Sequence, residues 1–119
     1  MALKVATQSI ILLKNEGGML PFSGKKIKRL AVIGAAASAT PPLDITGILP
    51  DYYSGGGSGH VASQQISTVL SGLQERAKEE GIQLRYSMLE GPGGWKYVAN
   101  WSDAVLIVGA TTATEGSDR

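Results

Sequence analysis

The clearest pattern in the chain is Leu30-Ala31-Val32-Ile33-Gly34, a short, continuously apolar run closed by glycine, which is how a strand buried on both faces of a parallel sheet looks. Ala104-Val105-Leu106-Ile107-Val108-Gly109 repeats it, so two such strands are predicted. Between them Ile82-Gln83-Leu84-Arg85-Tyr86-Ser87-Met88 alternates apolar and polar residues, the pattern of a strand with one face less completely buried and a place nearer a sheet edge. Ile66, Val69, Leu70, Leu73 and Ala77 recur at helical spacing, with Glu75, Arg76, Lys78, Glu79 and Glu80 largely opposite, and predict a helix over 67–80. Ser67 is its expected N-cap and Gly81 the left-handed residue that ends it. A second helix is expected from Pro92 to Trp101, with Trp95, Val98 and Ala99 on one face and pointing to the sheet.

Ahead of the first strand, residues 2–13 place Val5, Ser9 and Leu12 on one helical face with Ile10, Ile11 and Leu13 beside it, which predicts a helix running into a short extended piece that Gly17-Gly18 ends. Met19-Leu20-Pro21-Phe22 reads as an ordered connection that packs down. Lys25, Lys26, Lys28 and Arg29 read as a solvated edge leading into the strand, not as a phosphate site. The order strand, long loop, helix, strand, helix, strand argues an α/β fold, a layered α/β sandwich with a largely parallel sheet. Ligands of such sheets sit at the carboxyl ends of the strands, where the loop after Gly34 and the tail after Gly109 both emerge.

That first loop is the part of the chain least suited to a packed core. From Thr40 to Val61 it is too long for an ordinary connection in a compact domain, and Tyr53 to Val61 concentrates four glycines and two serines. Glycine reaches backbone angles closed to other residues and lets a ligand or a second backbone come close, so the run reads as a loop shaped to hold something.

Composition narrows the function classes. With 119 residues, 43% hydrophobic and 18% charged, the chain suits one modest domain, and a formal charge of +1 provides no field for gathering nucleic acid or an anionic membrane surface. Cysteine is absent, which excludes disulfides and thiolate metal sites and leaves the compartment unassigned. The longest apolar run, Ile10 to Leu13, is far short of the roughly 20 residues of a membrane span, and no targeting peptide is read at the N-terminus. Ala35-Ala36-Ala37-Ser38 after the first strand has neither the further glycines nor the lysine of a nucleotide loop, so no cofactor is expected. His60, the single histidine, reads as a loop-packing residue, since no second type of metal ligand stands at useful spacing. Trp95 and Trp101 read as core residues before they read as sugar platforms.

Several of these segments, taken in order, resemble the C-terminal α/β domain of glycoside hydrolase family 3, the β-glucosidase and β-xylosidase family. Ser9-Ile10-Ile11-Leu12-Leu13-Lys14-Asn15-Glu16-Gly17 with Met19-Leu20-Pro21 is similar to the family's opening segment, and Leu30 to Gly34 to its first core strand. Tyr53 to Val61 resembles its GGGSG loop, Leu70-Ser71-Gly72-Leu73 the start of the next helix, Asp103 to Gly109 a later strand, and Glu115-Gly116-Ser117-Asp118-Arg119 its EGxDR segment. Where the family has a Pro-Asn-Ala type turn after the first strand, this chain has Ala35-Ala36-Ala37.

The resemblance implies a retaining glycosidase, in which one carboxylate attacks the anomeric carbon while a second carboxyl group protonates the leaving oxygen. By this resemblance Glu115 is the candidate acid/base, and Gly55, Gly56, Gly57, Ser58, Gly59 and His60 form part of the wall around a β-linked sugar. A solvated glutamate is the plainer reading of Glu115 taken alone. The family's nucleophile is an aspartate on a separate barrel, and its domain continues past EGxDR. Residues 1–119 are therefore expected to form one partial domain, truncated relative to the family's and catalytically incomplete without a barrel from another chain or from further sequence. The alternative expectation is a non-enzymatic structural or interaction subunit of a larger assembly.

Overall fold

The computed structural model describes residues 1–41, 52–53, 55–61, 65–88, 93–112 and 114–115. Three strands form its sheet: β1 (Arg29–Ile33), β2 (Gln83–Ser87) and β3 (Ala104–Ile107). Their spatial order is β2-β1-β3 and both pairings are parallel, with Leu30 opposite Leu84 on one side and Ala104 on the other. β1 is the centre, paired on both edges. Leu30, Ala31, Val32 and Ile33 are all at most 3% exposed, so both faces and both edges of this strand are occupied.

Parallel neighbours need crossovers, and each crossover here carries a helix. Helix α2 (Val69–Glu79) links β1 to β2 and α3 (Gly94–Trp101) links β2 to β3. The chain moves one way across the sheet in the first crossover and the opposite way in the second. Two crossovers of the usual right hand therefore put the helices on opposite faces. Leu70, Leu73 and Ala77 of α2 pack with Leu30, Val32 and Ile82 on one face, while Val98 and Ala99 of α3 pack with Ala31 and Ile33 on the other. The layered α/β arrangement expected from the sequence is the one observed.

Local detail departs from the sequence reading in several places, among them Met19-Leu20-Pro21, which stays exposed while Phe22 alone packs down. Thr68, not Ser67, caps α2: its Oγ1 accepts from the Ser71 amide at 3.0 Å, and Ser71 Oγ donates back to the Thr68 carbonyl at 2.9 Å. The amide of Ser67 instead donates to the Tyr53 hydroxyl at 3.3 Å. Gly81, with φ of +67°, does end the helix. Strand β3 is not buried on both faces. Ala104 and Leu106 face α2, but Val105 and Ile107, in register with Ala31 and Ile33, remain 42% and 68% exposed because α3 covers β1 and β2 and stops short of them. Trp95 is 37% exposed, since it stands in the first turn of α3, level with Ser87, where the sheet ends. Finally, helix α1 (Ala2–Gln8) forms as expected but no strand follows it: Ile10 to Leu13 are 63–92% exposed and irregular.

Two side chains explain otherwise irregular stretches. The Asn15 amide closes its glycine turn by donating to the Leu20 carbonyl (2.9 Å) and accepting from the Leu20 amide (3.0 Å), and Phe22 then packs into the core beside α2. Asp103 fastens the amino ends of β1 and β3. Its Oδ2 accepts from the Lys28 and Arg29 amides, both at 2.9 Å, and its Oδ1 from Arg29 Nη2 at 2.7 Å. Trp101 lies against the same corner, 4.1 Å from the Arg85 guanidinium.

The Arg29 hydrogen bond, followed by those from the Lys28 and Arg29 amides, holds the Asp103 carboxyl down to about 2. A depressed folded-state value means that the stabilisation from this carboxylate is present above the ordinary Asp value of about 3.9 and is lost as pH falls through the folded one. Thermal melts between pH 2 and 5 are expected to show a steeper acid loss for the wild-type chain than for Asp103→Asn, which should already be weaker at neutral pH. Equal slopes would contradict this role.

Candidate functional site

In the order β2-β1-β3 the direction of the chain reverses at β1, so the crevice outside the carboxyl ends of β1 and β3 is the switch point at which open α/β sheets bind ligands. The two strands meet there backbone to backbone. Val108 N–H donates to the Ile33 carbonyl at 2.8 Å, and Gly34, with φ of +125°, passes so close that a Cβ on it would lie 2.2 Å from the Val108 carbonyl oxygen. The Tyr86 hydroxyl, from the neighbouring β2, braces this rim by contacts to Ser38 Oγ (2.8 Å) and the Gly34 carbonyl (3.3 Å). Ala35-Ala36-Ala37-Ser38 forms a single 3₁₀ turn whose Ala37 is fully buried, so the substituted turn packs down under the rim.

The glycine-rich loop follows β1 and Glu115 follows β3, and the structure brings them together across 57 positions of sequence. Ser58 donates to Glu115 Oε2 twice, from its backbone N–H at 3.1 Å and from its hydroxyl. Gly57, at φ of +88°, packs so tightly on the same residue that a Cβ would fall 2.6 Å from the Glu115 Cβ. The loop is folded on itself by the His60 amide, which donates to the Gly57 carbonyl at 3.0 Å, and by His60 Nδ1 at 3.1 Å from the Gly55 carbonyl. His60 is thus engaged within the loop. Gly55 also has positive φ, Gly56 is half-buried, and Gly59 has open space where a side chain would stand. Gly116 to Arg119 of the EGxDR segment, with Asp44 and Asp51, lie outside the described residues.

The electrostatics of Glu115 follow from that geometry. The Ser58 hydroxyl and then the Ser58 amide hold its carboxyl below the usual range, against a smaller opposing effect of desolvation. No other carboxylate of the described residues contributes. Asp103 is at the far end of β3, engaged by Arg29, and is no partner for it. A recess between α2 and Phe22, lined also by Leu30, Leu73 and Ile82, lies at the amino end of the sheet and away from this rim. Among the described residues no group of three metal-ligating side chains occurs and no helix is long and apolar enough to cross a membrane.

Comparison with known proteins shows the family. The family described as the glycosyl hydrolase family 3 C-terminal domain matches residues 10–119. A β-xylosidase of Formosa agariphila is 36% identical over 128 aligned residues, covering 99% of this chain and 17% of that protein. The β-D-xylosidase 3 of Arabidopsis thaliana is 33% identical, covering 96% of this chain and 14% of the relative. The β-glucosidase 1 of Saccharomycopsis fibuligera is 58% identical over 40 residues, or 34% of the chain. No solved structure gives a significant match. The chain belongs to the C-terminal domain family of glycoside hydrolase family 3, and it spans less than a fifth of the length of the curated relatives it matches.

Sequence reasoning named the loop and Glu115 but not Tyr86 or Ser38, which brace the rim. Both look like ordinary strand and turn residues, and only the close passage of Gly34 gives them their partners. Gly34→Ala forces a Cβ into the Val108 carbonyl and a side chain into an unfavourable φ. The chain is then expected to lose at least about 2 kcal/mol of stability by thermal or urea unfolding. A melt unchanged from wild type would mean that the strand ends do not meet as described.

Proposed function

We propose that this chain supplies the carbohydrate-site half of a β-glucosidase- or β-xylosidase-type retaining glycosidase and is not catalytically complete alone. The observation that carries the reading is the contact between Ser58 and Glu115 at the switch-point crevice, which joins a glycine-walled loop to a carboxylate on the ligand side of the sheet. In this reading residues 1–119 act as one partial domain, Glu115 is the acid/base, and Gly55, Gly56, Gly57, Ser58, Gly59 and His60 form part of the sugar-facing wall. Glycine suits that place because a backbone without side chains admits the edge of a sugar ring.

Retention requires a second carboxylate about 5 Å from the first, and this reading assigns it to a barrel on another chain or on further sequence. The lowered carboxyl of Glu115 does not suit an acid in the chain by itself. A general acid must hold its proton near neutral pH, which takes a neighbouring negative charge or an apolar cover to raise it. A barrel closing over the rim with its nucleophile would bring both. One observation favours a second reading, a non-enzymatic interaction subunit: Val105 and Ile107 present an apolar strip that needs no chemistry to be useful.

The purified chain is expected not to hydrolyse aryl β-glucosides or β-xylosides. Completed with a barrel domain of a family member, it is expected to turn over one of them, and Glu115→Gln is expected to lower kcat/KM by about 10²–10⁴-fold for poor leaving groups. Turnover by the chain alone, or full activity of the completed Glu115→Gln protein, would contradict the proposal. A completed protein that assembles yet never turns over would favour the interaction reading.

A further inference from the structure

We infer that Ser58 is a positioning residue, which fixes the carboxyl group of Glu115 at the rim through its hydroxyl and its amide together. The inference rests on the reading of Glu115 as acid/base but stands on contacts of its own. Both Ser58 donors converge on one oxygen, Oε2, which leaves Oε1 as the oxygen free of Ser58 and able to turn to a substrate. Glu115 is exposed, so burial does not hold its carboxyl group in one place and a specific contact can.

The neighbouring glycine makes that contact possible. With a side chain at position 57 the Glu115 Cβ would be pushed away, since the two would be 2.6 Å apart. The positive φ values of Gly55 and Gly57 and the His60 amide bonded to the Gly57 carbonyl hold the turn that aims Ser58. The sequence Gly-Gly-Gly-Ser-Gly thus divides into glycines that clear a path and a serine that uses it.

Donors to a carboxylate favour its charged form, so Ser58 opposes protonation of Glu115 and a completed site must overcome it to load the acid. Among the described residues, the ionisable groups of the loop that meets Glu115 are Tyr52, Tyr53 and His60, and the ring of His60 is held by the Gly55 carbonyl. The Ser58 hydroxyl is the largest influence on the carboxyl, ahead of the Ser58 amide. Titration of Glu115 should therefore answer to position 58 first.

The test follows the side-chain carboxyl carbon of Glu115 by NMR across an acid titration of the 119-residue chain. Ser58→Ala is expected to move the midpoint up toward the ordinary glutamate value, though not all the way because the amide remains, and Ser58→Thr is expected to restore it. In the wild-type chain the Ser58 amide proton should shift with the Glu115 midpoint, and that response should vanish in Glu115→Gln, a readout that needs no substitution at Ser58. An unmoved midpoint in a folded Ser58→Ala chain, or a Ser58 amide indifferent to Glu115, would overturn the inference. In a barrel-completed enzyme, Ser58→Ala should shift the pH profile of kcat/KM with little change in KM. If Glu115→Gln leaves that enzyme fully active while the titration still answers to Ser58, the acid/base reading fails and the contact survives. The reverse pattern removes the role of Ser58 alone.

Discussion

The organisation of the molecule depends on one constraint, the enclosure of β1 on all sides. A strand with both faces buried must find a partner layer above and below, and a strand paired in parallel on both edges must be entered and left through crossovers. Those two demands place α2 and α3 on opposite faces and put β2 and β3 on opposite edges. Everything that follows β1 or β3 then starts from the same end of the sheet. The meeting of Glu115 with the glycine-rich loop is thus a product of the strand order, and the glycines at 34 and 57 are what let the backbones close to contact.

The electrostatics at the two ends of the sheet differ in kind. At the amino end, Asp103 has a permanent cationic partner and backbone donors, so its charge is built into the fold. At the carboxyl rim, Glu115 has neutral donors from a single serine and is solvent-exposed, so its protonation remains open to whatever covers the rim. A group meant only to hold strands together is better served by the first arrangement. A group meant to exchange a proton needs the second, in which an added neighbour can change the balance.

Much of this was legible in the residues. The alternation at 82–88 and the helical spacing at 66–77 each report the period of one element type, the apolar run at 30–33 reads as a strand by its shortness and closing glycine, and their order argues a parallel sheet. The shared position of the loop and Glu115 followed from that topology. Other features were hidden for physical reasons. Val105 and Ile107 are as apolar as Ala31 and Ile33, and composition says what can be buried without saying how far a helix reaches across the sheet. Ser67 and Thr68 are both able caps, and the choice falls to the residue whose hydroxyl meets the right amide. Trp95 has the spacing of a core residue, but the sheet ends beneath it. The hydrogen bonds from Ser58 depend on positive φ at Gly55 and Gly57, which glycine permits and does not dictate.

The central claim, that the carboxyl rim between β1 and β3 faces a sugar, is tested most directly by mapping where a sugar acts on the chain. A non-hydrolysable β-glucoside or β-xyloside analogue would be titrated into the isotope-labelled protein at millimolar concentration while the backbone amide shifts are followed. Saturable changes are expected only at Gly55 through His60, Glu115 and the neighbouring Gly34 turn, with the Arg85–Trp101 corner at the opposite end of the sheet unmoved. Saturable changes centred on that corner or on the exposed strip of β3, with the rim silent, would contradict it.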